Sequence, residues 1–112
     1  MTERLEIGKI KSVKFGAGGY DDAMLGVSFT LGSDKTSWGV GDFFGTWASP
    51  PSEHAKWTVR DQTKTWGEMV RRIGQLLIDA NVSDISKLVG KPVEVTFENG
   101  TLKSWRILTE VI

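Results

Sequence analysis

The stretch TWGEMVRRIGQLLIDA, residues 65–80, is the most regular part of the chain and decides the fold class. Its apolar residues recur every three or four positions and form one stripe, which consists of Trp66, Met69, Val70, Ile73, Leu76, Leu77 and Ala80. Thr65 and Glu68 match a capping box, with Thr65 at the N-cap. The pattern predicts one amphipathic helix over 66–80 that ends at Asn81, with Arg71 and Arg72 on its solvated face.

Residues before this helix follow the period of two that is typical of strands. Residues 25–31, LGVSFTL, alternate apolar with small or polar side chains and predict a half-buried strand. Further strands are predicted at 9–15, closed by a glycine-rich turn at 16–19, and at 37–41. We interpret these three strands as an antiparallel meander. A short edge strand is expected at 56–60, after a proline-bounded loop.

Residues after the helix predict a short second helix and a β-hairpin. Ser83 is expected to cap the short helix, which runs through Leu88 and ends at Gly90. Asn99-Gly100 separates two strands, Pro92–Glu98 and Thr101–Leu108, as in a two-residue hairpin turn. The simplest register places Val95 opposite Ser104 and Val93 opposite Arg106, on the core face. An arginine there needs a partner charge, and a slip of one residue would return it to solvent.

Length and composition limit the class of protein. The chain has 112 residues, which predicts one α+β domain over 1–112, an antiparallel sheet packed on one main helix. Its 14 basic and 14 acidic side chains give zero net charge, which removes the broad positive field of many nucleic-acid-binding proteins. There is no cysteine, so we expect no disulfide and no thiolate zinc site, and a reducing compartment. The beginning of the chain does not resemble a signal peptide, and we expect a cytoplasmic protein.

The sequence contains no recognisable catalytic or cofactor motif. His54 is the single histidine, and no nucleophile elbow surrounds any serine. Asp21-Asp22 is the only acidic doublet, too little for a metal site. The glycines at 16–19 lack the lysine and helix of a phosphate-binding loop. We therefore predict a non-enzymatic protein without a cofactor.

The most distinctive stretch is WGVGDFFGTW, residues 38–47, in which four aromatic residues are interleaved with three glycines and Asp42. Glycine permits close approach of a ligand, and aromatic rings stack on planar groups. The stretch is either core or a ligand surface, and both apply if its two faces differ. Together with nearby candidates, the predicted ligand-binding residues are Tyr20, Asp21, Trp38, Asp42, Phe44, Trp47, Trp57, Arg60 and Arg106.

Four segments resemble a family of small uncharacterised proteins encoded by tailed bacteriophages and prophages. They are GGYDDAMLGVS at 18–28, WGVG at 38–41, GKPVEVTF at 90–97 and SWRIL at 104–108. The resemblance implies a phage context and the cytoplasm of a host bacterium. By analogy with small phage proteins, it also suggests an accessory factor that antagonises host antiviral defence.

Three functional hypotheses follow. The first is a binding protein that sequesters a nucleotide-derived host signal. The second is a protein-binding inhibitor or structural phage component that uses the same aromatic surface. The third is an accessory protein for single-stranded nucleic acid, in which the closing hairpin belongs to an open barrel and tryptophans stack on bases. We also predict a homo-oligomer, most simply a dimer, with Gly67 and Gly74 providing a shallow helix face for close approach.

Overall fold

The computed structural model describes residues 2–112. Five strands and one long helix follow in the order β1 (Glu3–Gly18), β2 (Met24–Gly32), β3 (Gly39–Trp47), α1 (Val59–Ala80), β4 (Pro92–Glu98) and β5 (Thr101–Ile107). The class is α+β, with one antiparallel sheet and one main helix, as predicted. The predicted second helix is instead a single 3-10 turn, Ile85–Leu88, capped by Asp84 rather than Ser83. None of the helices within residues 2–112 is long and apolar enough to cross a membrane.

The long first strand organises the sheet. Residues 3–9 of β1 pair with β4, and residues 9–18 pair with β2, with a bulge at Lys11 between Ile10 and Ser12. The resulting strand order is β3-β2-β1-β4-β5. Within it, β4-β1-β2-β3 is a Greek key, because three strands joined in succession are followed by a fourth that returns beside the first. The edge strands β3 and β5 meet through side chains, so the sheet curls into a partly open barrel.

The core lies between the inner face of this sheet and α1. Ile10, Phe29 and Leu31 are completely or almost completely buried on the sheet side. Met69, Leu76 and Ala80 contribute the apolar stripe of the helix. The alternation in residues 25–31 and the helical spacing after residue 65 therefore predicted these two halves of the core, except that Val70 of the predicted stripe is wrong because its side chain is 62% exposed.

The helix begins seven residues earlier than predicted. Its N-cap is Thr58, whose hydroxyl accepts from the Asp61 amide at 3.2 Å while the Asp61 carboxylate accepts from the Thr58 amide at 2.8 Å. The buried Gln62 side chain donates to the Trp47 and Ser49 carbonyls at 2.6 and 3.1 Å. These bonds hold the additional helical turns against the end of β3. Because the helix already begins at Val59, the edge strand predicted at 56–60 is wrong. The predicted end is confirmed, because Asn81 has the left-handed φ of 56°.

The hairpin turn is confirmed, but its register is not the predicted one. Asn99 and Gly100 both have positive φ, 53° and 81°, as a type I′ turn requires. The register shifts between Thr96 and Phe97. This shift leaves Lys103 unpaired and puts Val95 opposite Trp105. The prediction that Arg106 faces the core is therefore wrong: Arg106 lies opposite Glu94, on the outer face. A bulge has this effect because one extra residue reverses the side chains that follow it.

Candidate functional site

The aromatic stretch at 38–47 forms edge strand β3 from residue 39 onward, and its residues divide between two faces. Val40, Asp42 and Phe44 lie opposite the inward residues of β2, whereas Phe43 and Trp47 lie opposite Ser28 and Met24. The stretch therefore serves both the core and the surface. The interpretation as core is confirmed for the inward residues, and the interpretation of the outward residues as a ligand surface stays a prediction.

The outer face of β1, β2 and β3 is rich in glycine. Adjacent strands place glycines side by side, with Gly16 opposite Gly26 and Gly26 opposite Gly45. We name this surface the glycine face and define it by its outward strand residues, which are Ser12, Lys14, Gly16, Gly18, Met24, Gly26, Ser28, Thr30, Gly32, Gly39, Gly41, Phe43, Gly45 and Trp47. Gly39 and Gly41 are exposed, whereas Gly26 and Gly32 are buried, and at the exposed glycines a planar ligand can approach the backbone closely.

Phe43 is the aromatic residue at the centre of the glycine face. A Cβ atom at Gly18 would lie 2.9 Å from Cε1 of Phe43, and one at Gly26 would lie 2.9 Å from Cζ. The ring therefore rests directly on the backbone of two glycines and remains partly exposed. A larger residue at either position would displace it.

Trp47 and Tyr20 form a second aromatic cluster at one end of the glycine face. Their ring centroids are 6.4 Å apart with an interplanar angle of 77°, an edge-to-face contact. Tyr20 is 72% exposed in the turn between β1 and β2, where Gly19, Asp21 and Asp22 all have positive φ. Trp47 follows Phe43 by four residues, about 13 Å along a strand. The turn thus brings two of the predicted binding residues together, next to a third, Asp21.

Charge is distributed unevenly around this surface. Lys9, Lys11 and Lys14 extend from the β1 side, and none of the strand positions that define the glycine face carries a carboxylate. The acidic residues nearby are confined to the connecting turns. Asp34, in the β2–β3 loop, pairs with both Lys9 and Lys11. Hydrogen bonds from Lys11 and then Lys9 lower the pKa of Asp34 to about 2.

Asp42 lies at the seam where the two edge strands approach each other. Its carboxylate accepts from Trp105 Nε1 at 2.7 Å and from Arg72 Nη2 at 2.8 Å. The Arg72 guanidinium lies 5.6 and 5.3 Å from the ring centroids of Phe44 and Trp105. These contacts tie β3, β5 and α1 together beside a cleft of about 300 Å³. The prediction that Arg72 is merely solvated is therefore wrong, and Oδ2 of Asp42 accepts both hydrogen bonds from within the protein.

The remaining predicted residues lie apart from the glycine face. The Trp38 ring packs edge-on against Phe97, with centroids 5.7 Å apart, and closes over Gly8. Trp57 is partly buried just before α1, and Arg60 is exposed in the first turn of that helix. The structure thus brings Tyr20, Asp21 and Trp47 to one end of the outer face, whereas Trp38, Asp42 and Phe44 contribute to packing.

Arg106 is held in a surface ion-pair cluster. It bonds Glu94 at 3.2 Å and Glu110 at 2.8 Å, through Nε and Nη2 respectively. Glu110 and then Glu94 raise the pKa of Arg106, and Arg106 lowers the pKa of Glu110 to about 2. This cluster attaches the end of the chain to β5 and leaves Arg106 with internal partners.

Sequence analysis missed Phe43, Lys14 and the seam residues Arg72 and Trp105. The signal for the first two was the alternation of glycine in 39–45 and 16–18, which marks one open side of a strand. Arg72 and Trp105 have no such signal, because their partners are distant in the chain. Within residues 2–112 no three His, Cys, Asp or Glu residues are grouped so as to hold a metal. Comparisons with protein-family models, curated proteins and solved structures gave no significant match.

Proposed function

We propose that this protein binds single-stranded nucleic acid on the glycine face. The observation that carries the proposal is Phe43, a partly exposed aromatic ring on a floor of glycine backbone, with lysines along one side. In such a site the rings stack on bases, which contributes about 1–3 kcal/mol per base, while ammonium groups neutralise phosphates. Phe43 is the central stacking residue, and the cluster of Trp47 and Tyr20 is the second stacking site.

The topology supports this proposal by analogy. A five-stranded, partly open Greek-key barrel is the architecture of the oligonucleotide- and oligosaccharide-binding (OB) fold. Proteins of that fold bind their ligands on the face of the second and third strands, and the glycine face occupies the corresponding position. Fold alone does not determine function, so the argument depends on the side chains of the face.

The zero net charge of the chain is compatible with this site. Backbone tracking requires positive charge at the groove and not over the whole surface. Lys9, Lys11 and Lys14 supply that charge, while most of the 14 acidic residues lie outside the glycine face. We expect modest affinity that decreases steeply with salt.

Binding of a fluorescently labelled oligothymidylate tests the proposal, followed by anisotropy at low salt. Wild type should bind at micromolar protein, and Phe43→Ala should weaken binding about tenfold or more, since one stacked base contributes about 1–3 kcal/mol. Phe15→Ala is the matched control. Phe15 is also an exposed aromatic residue, 55% exposed, but it lies opposite Val27 and so outside the glycine face.

Two results would reject the proposal: no anisotropy change with wild type, or equal losses for Phe43→Ala and Phe15→Ala. A thermal-shift panel of cyclic and linear nucleotides belongs in the same experiment. Stabilisation by one nucleotide, with no response to oligonucleotide, would favour the sequestration hypothesis instead. A phage-encoded role in countering host defence remains a prediction, and either ligand is compatible with it.

A further inference from the structure

Two lysines converge on one carboxylate at the end of the glycine face. Lys9 Nζ contacts Oδ2 of Asp34, and Lys11 Nζ contacts Oδ1. The β-bulge at Lys11 inserts one residue between Ile10 and Ser12, next to the strand position of Lys9. The two ammonium groups therefore contact the two oxygens of one carboxylate. They would contact the two non-bridging oxygens of a phosphodiester in the same way.

The charge of this cluster is not balanced. Within residues 2–112, Asp34 is the only carboxylate at ion-pair distance from Lys9 or Lys11. Two positive charges and one negative charge leave a net charge of +1. A phosphodiester carries the same single charge as the carboxylate and can take its place between the ammonium groups.

The cluster is continuous with the glycine face. The Lys11 side chain packs over Gly32, with Cγ and Cε both 3.6 Å from the position of a Cβ there. Gly32 lies four residues along β2 from Ser28, the residue opposite Phe43, which is about 13 Å. A single strand stacked on Phe43 can reach that far with its next phosphates.

The loop that carries Asp34 leaves room for the carboxylate to move. The Asp34 side chain is 57% exposed, and a surface cavity of about 410 Å³ adjoins it. Ser33 Oγ accepts from the Lys35 and Thr36 amides at 3.1 and 3.3 Å, which fixes the turn while the Asp34 side chain points outward from it.

We propose that Lys9 and Lys11 form a phosphodiester subsite of the glycine face, which the Asp34 carboxylate occupies in the free protein and leaves when nucleic acid binds. This inference rests on the proposed function. The inference makes Asp34 an internal competitor that weakens the binding of nucleic acid. Removing the charge of Asp34 should therefore tighten binding.

The test compares wild type, Asp34→Asn and the matched control Asp79→Asn in oligothymidylate titrations at several salt concentrations. Asp79 is also hydrogen-bonded, to Gln75 on α1, but lies far from the face. Asp34→Asn should bind about fivefold tighter, since the phosphate then no longer has to displace a carboxylate from the two lysines. Its salt slope should steepen by about 0.7 for each additional phosphate neutralised. Asp79→Asn should stay within about twofold of wild type.

A second variant links the gain to the lysines. The double variant Lys9→Ala, Lys11→Ala should weaken binding, and Asp34→Asn should give no further gain in that background, because the competitor has then lost both of its partners. If wild type binds but Asp34→Asn binds equally or more weakly, the subsite proposal fails and the proposed function stands. If the tightening persists in the background that lacks both lysines, the gain is only a change in overall charge and the subsite proposal also fails. If neither wild type nor Asp34→Asn binds the oligonucleotide, both proposals fail.

Discussion

The two faces of the β1–β2–β3 ribbon are built from alternate residues of the same segments but have opposite characters. On the inner face, Val27 and Phe29 are each 1% exposed and pack in the core. Their neighbours Gly26 and Ser28 lie on the outer face, where the floor is backbone and Phe43 is the main aromatic group. Because side chains alternate along a strand, one short segment supplies both stability and a binding surface. Substitution of a buried inner-face side chain should therefore mainly lower stability, whereas substitution of the Phe43 ring should mainly weaken binding.

The largest expected effect is on the inner face. Phe29→Ala removes a ring that packs edge-on against Trp105 at 5.1 Å. It should lower the free energy of unfolding by about 3–5 kcal/mol, which is a large part of the stability of a small domain. Urea denaturation of wild type and Phe29→Ala measures this loss of stability. Phe43→Ala should cost less than about 1 kcal/mol, and equal losses for the two variants would contradict the division between faces.

The second effect compares the two bridging carboxylates. Asp42 is held at the seam by Trp105 and Arg72, whereas Asp34 is exposed. Asp42→Asn leaves the partly buried Arg72 without its counter-charge and should cost about 2–3 kcal/mol. Asp34→Asn should change the stability much less than Asp42→Asn does, since exposed pairs contribute little. Denaturant midpoints of the two variants test the ranking, and the reverse order would refute the structural role of Asp42.

The third effect uses glycines in different surroundings. A Cβ at Gly26 would lie 2.3 Å from the Phe44 carbonyl oxygen and 2.6 Å from Gly45 Cα, so Gly26→Ala forces β2 and β3 apart. We expect a loss of about 1–3 kcal/mol, together with weaker oligonucleotide binding. At Gly74 on α1 a Cβ would meet nothing within 4 Å, and Gly74→Ala should stabilise the protein by about 1 kcal/mol. Thermal melting of both variants measures whether each substitution lowers or raises the stability of the protein.

The Gly74 variant also bears on assembly. The predicted dimer through Gly67 and Gly74 remains a prediction. If α1 packs closely on a second copy there, Gly74→Ala should destabilise the dimer instead of stabilising the chain. Light scattering at micromolar concentration distinguishes the two cases, because only a dimer has twice the mass of one chain.

The smallest expected effect is the pH dependence of the exposed ion pairs. Asp34 and Glu110 both have folded-state pKa values lowered to about 2 by their cationic partners. A lowered folded-state pKa means that the pairs stabilise the protein above the ordinary pKa of about 4 and that this contribution is lost as pH falls toward 2. The denaturation midpoint of wild type should therefore decrease over this range. The double variant Asp34→Asn, Glu110→Gln should decrease less, and parallel profiles would contradict the assignment.

The candidate site was only partly predictable from sequence. Tyr20, Asp21 and Trp47 were predicted to be ligand-binding residues, and the structure brings them together at one end of the glycine face. Asp42 and Phe44 were assigned to the same surface but belong to the inner face, because the register of β3 decides which alternate residues point outward. Phe43 was overlooked for the same reason: composition identifies the stretch, while the pairing with β2 identifies the exposed residue.

Sequence alone determined the features that depend on neighbouring residues. The end of α1 at Asn81, the Asn99-Gly100 turn and the alternation in residues 25–31 follow from local backbone preference and from burial of one face. Tertiary structure alone decided the start of α1, the hairpin register and the partner of Arg72. Each of these depends on a contact with a distant element: Gln62 with the Trp47 carbonyl, Trp105 with Asp42, and Arg72 with the same carboxylate. The free energy of such contacts arises only when the sheet curls and brings its edges together, and no local pattern in the chain encodes which residues then meet.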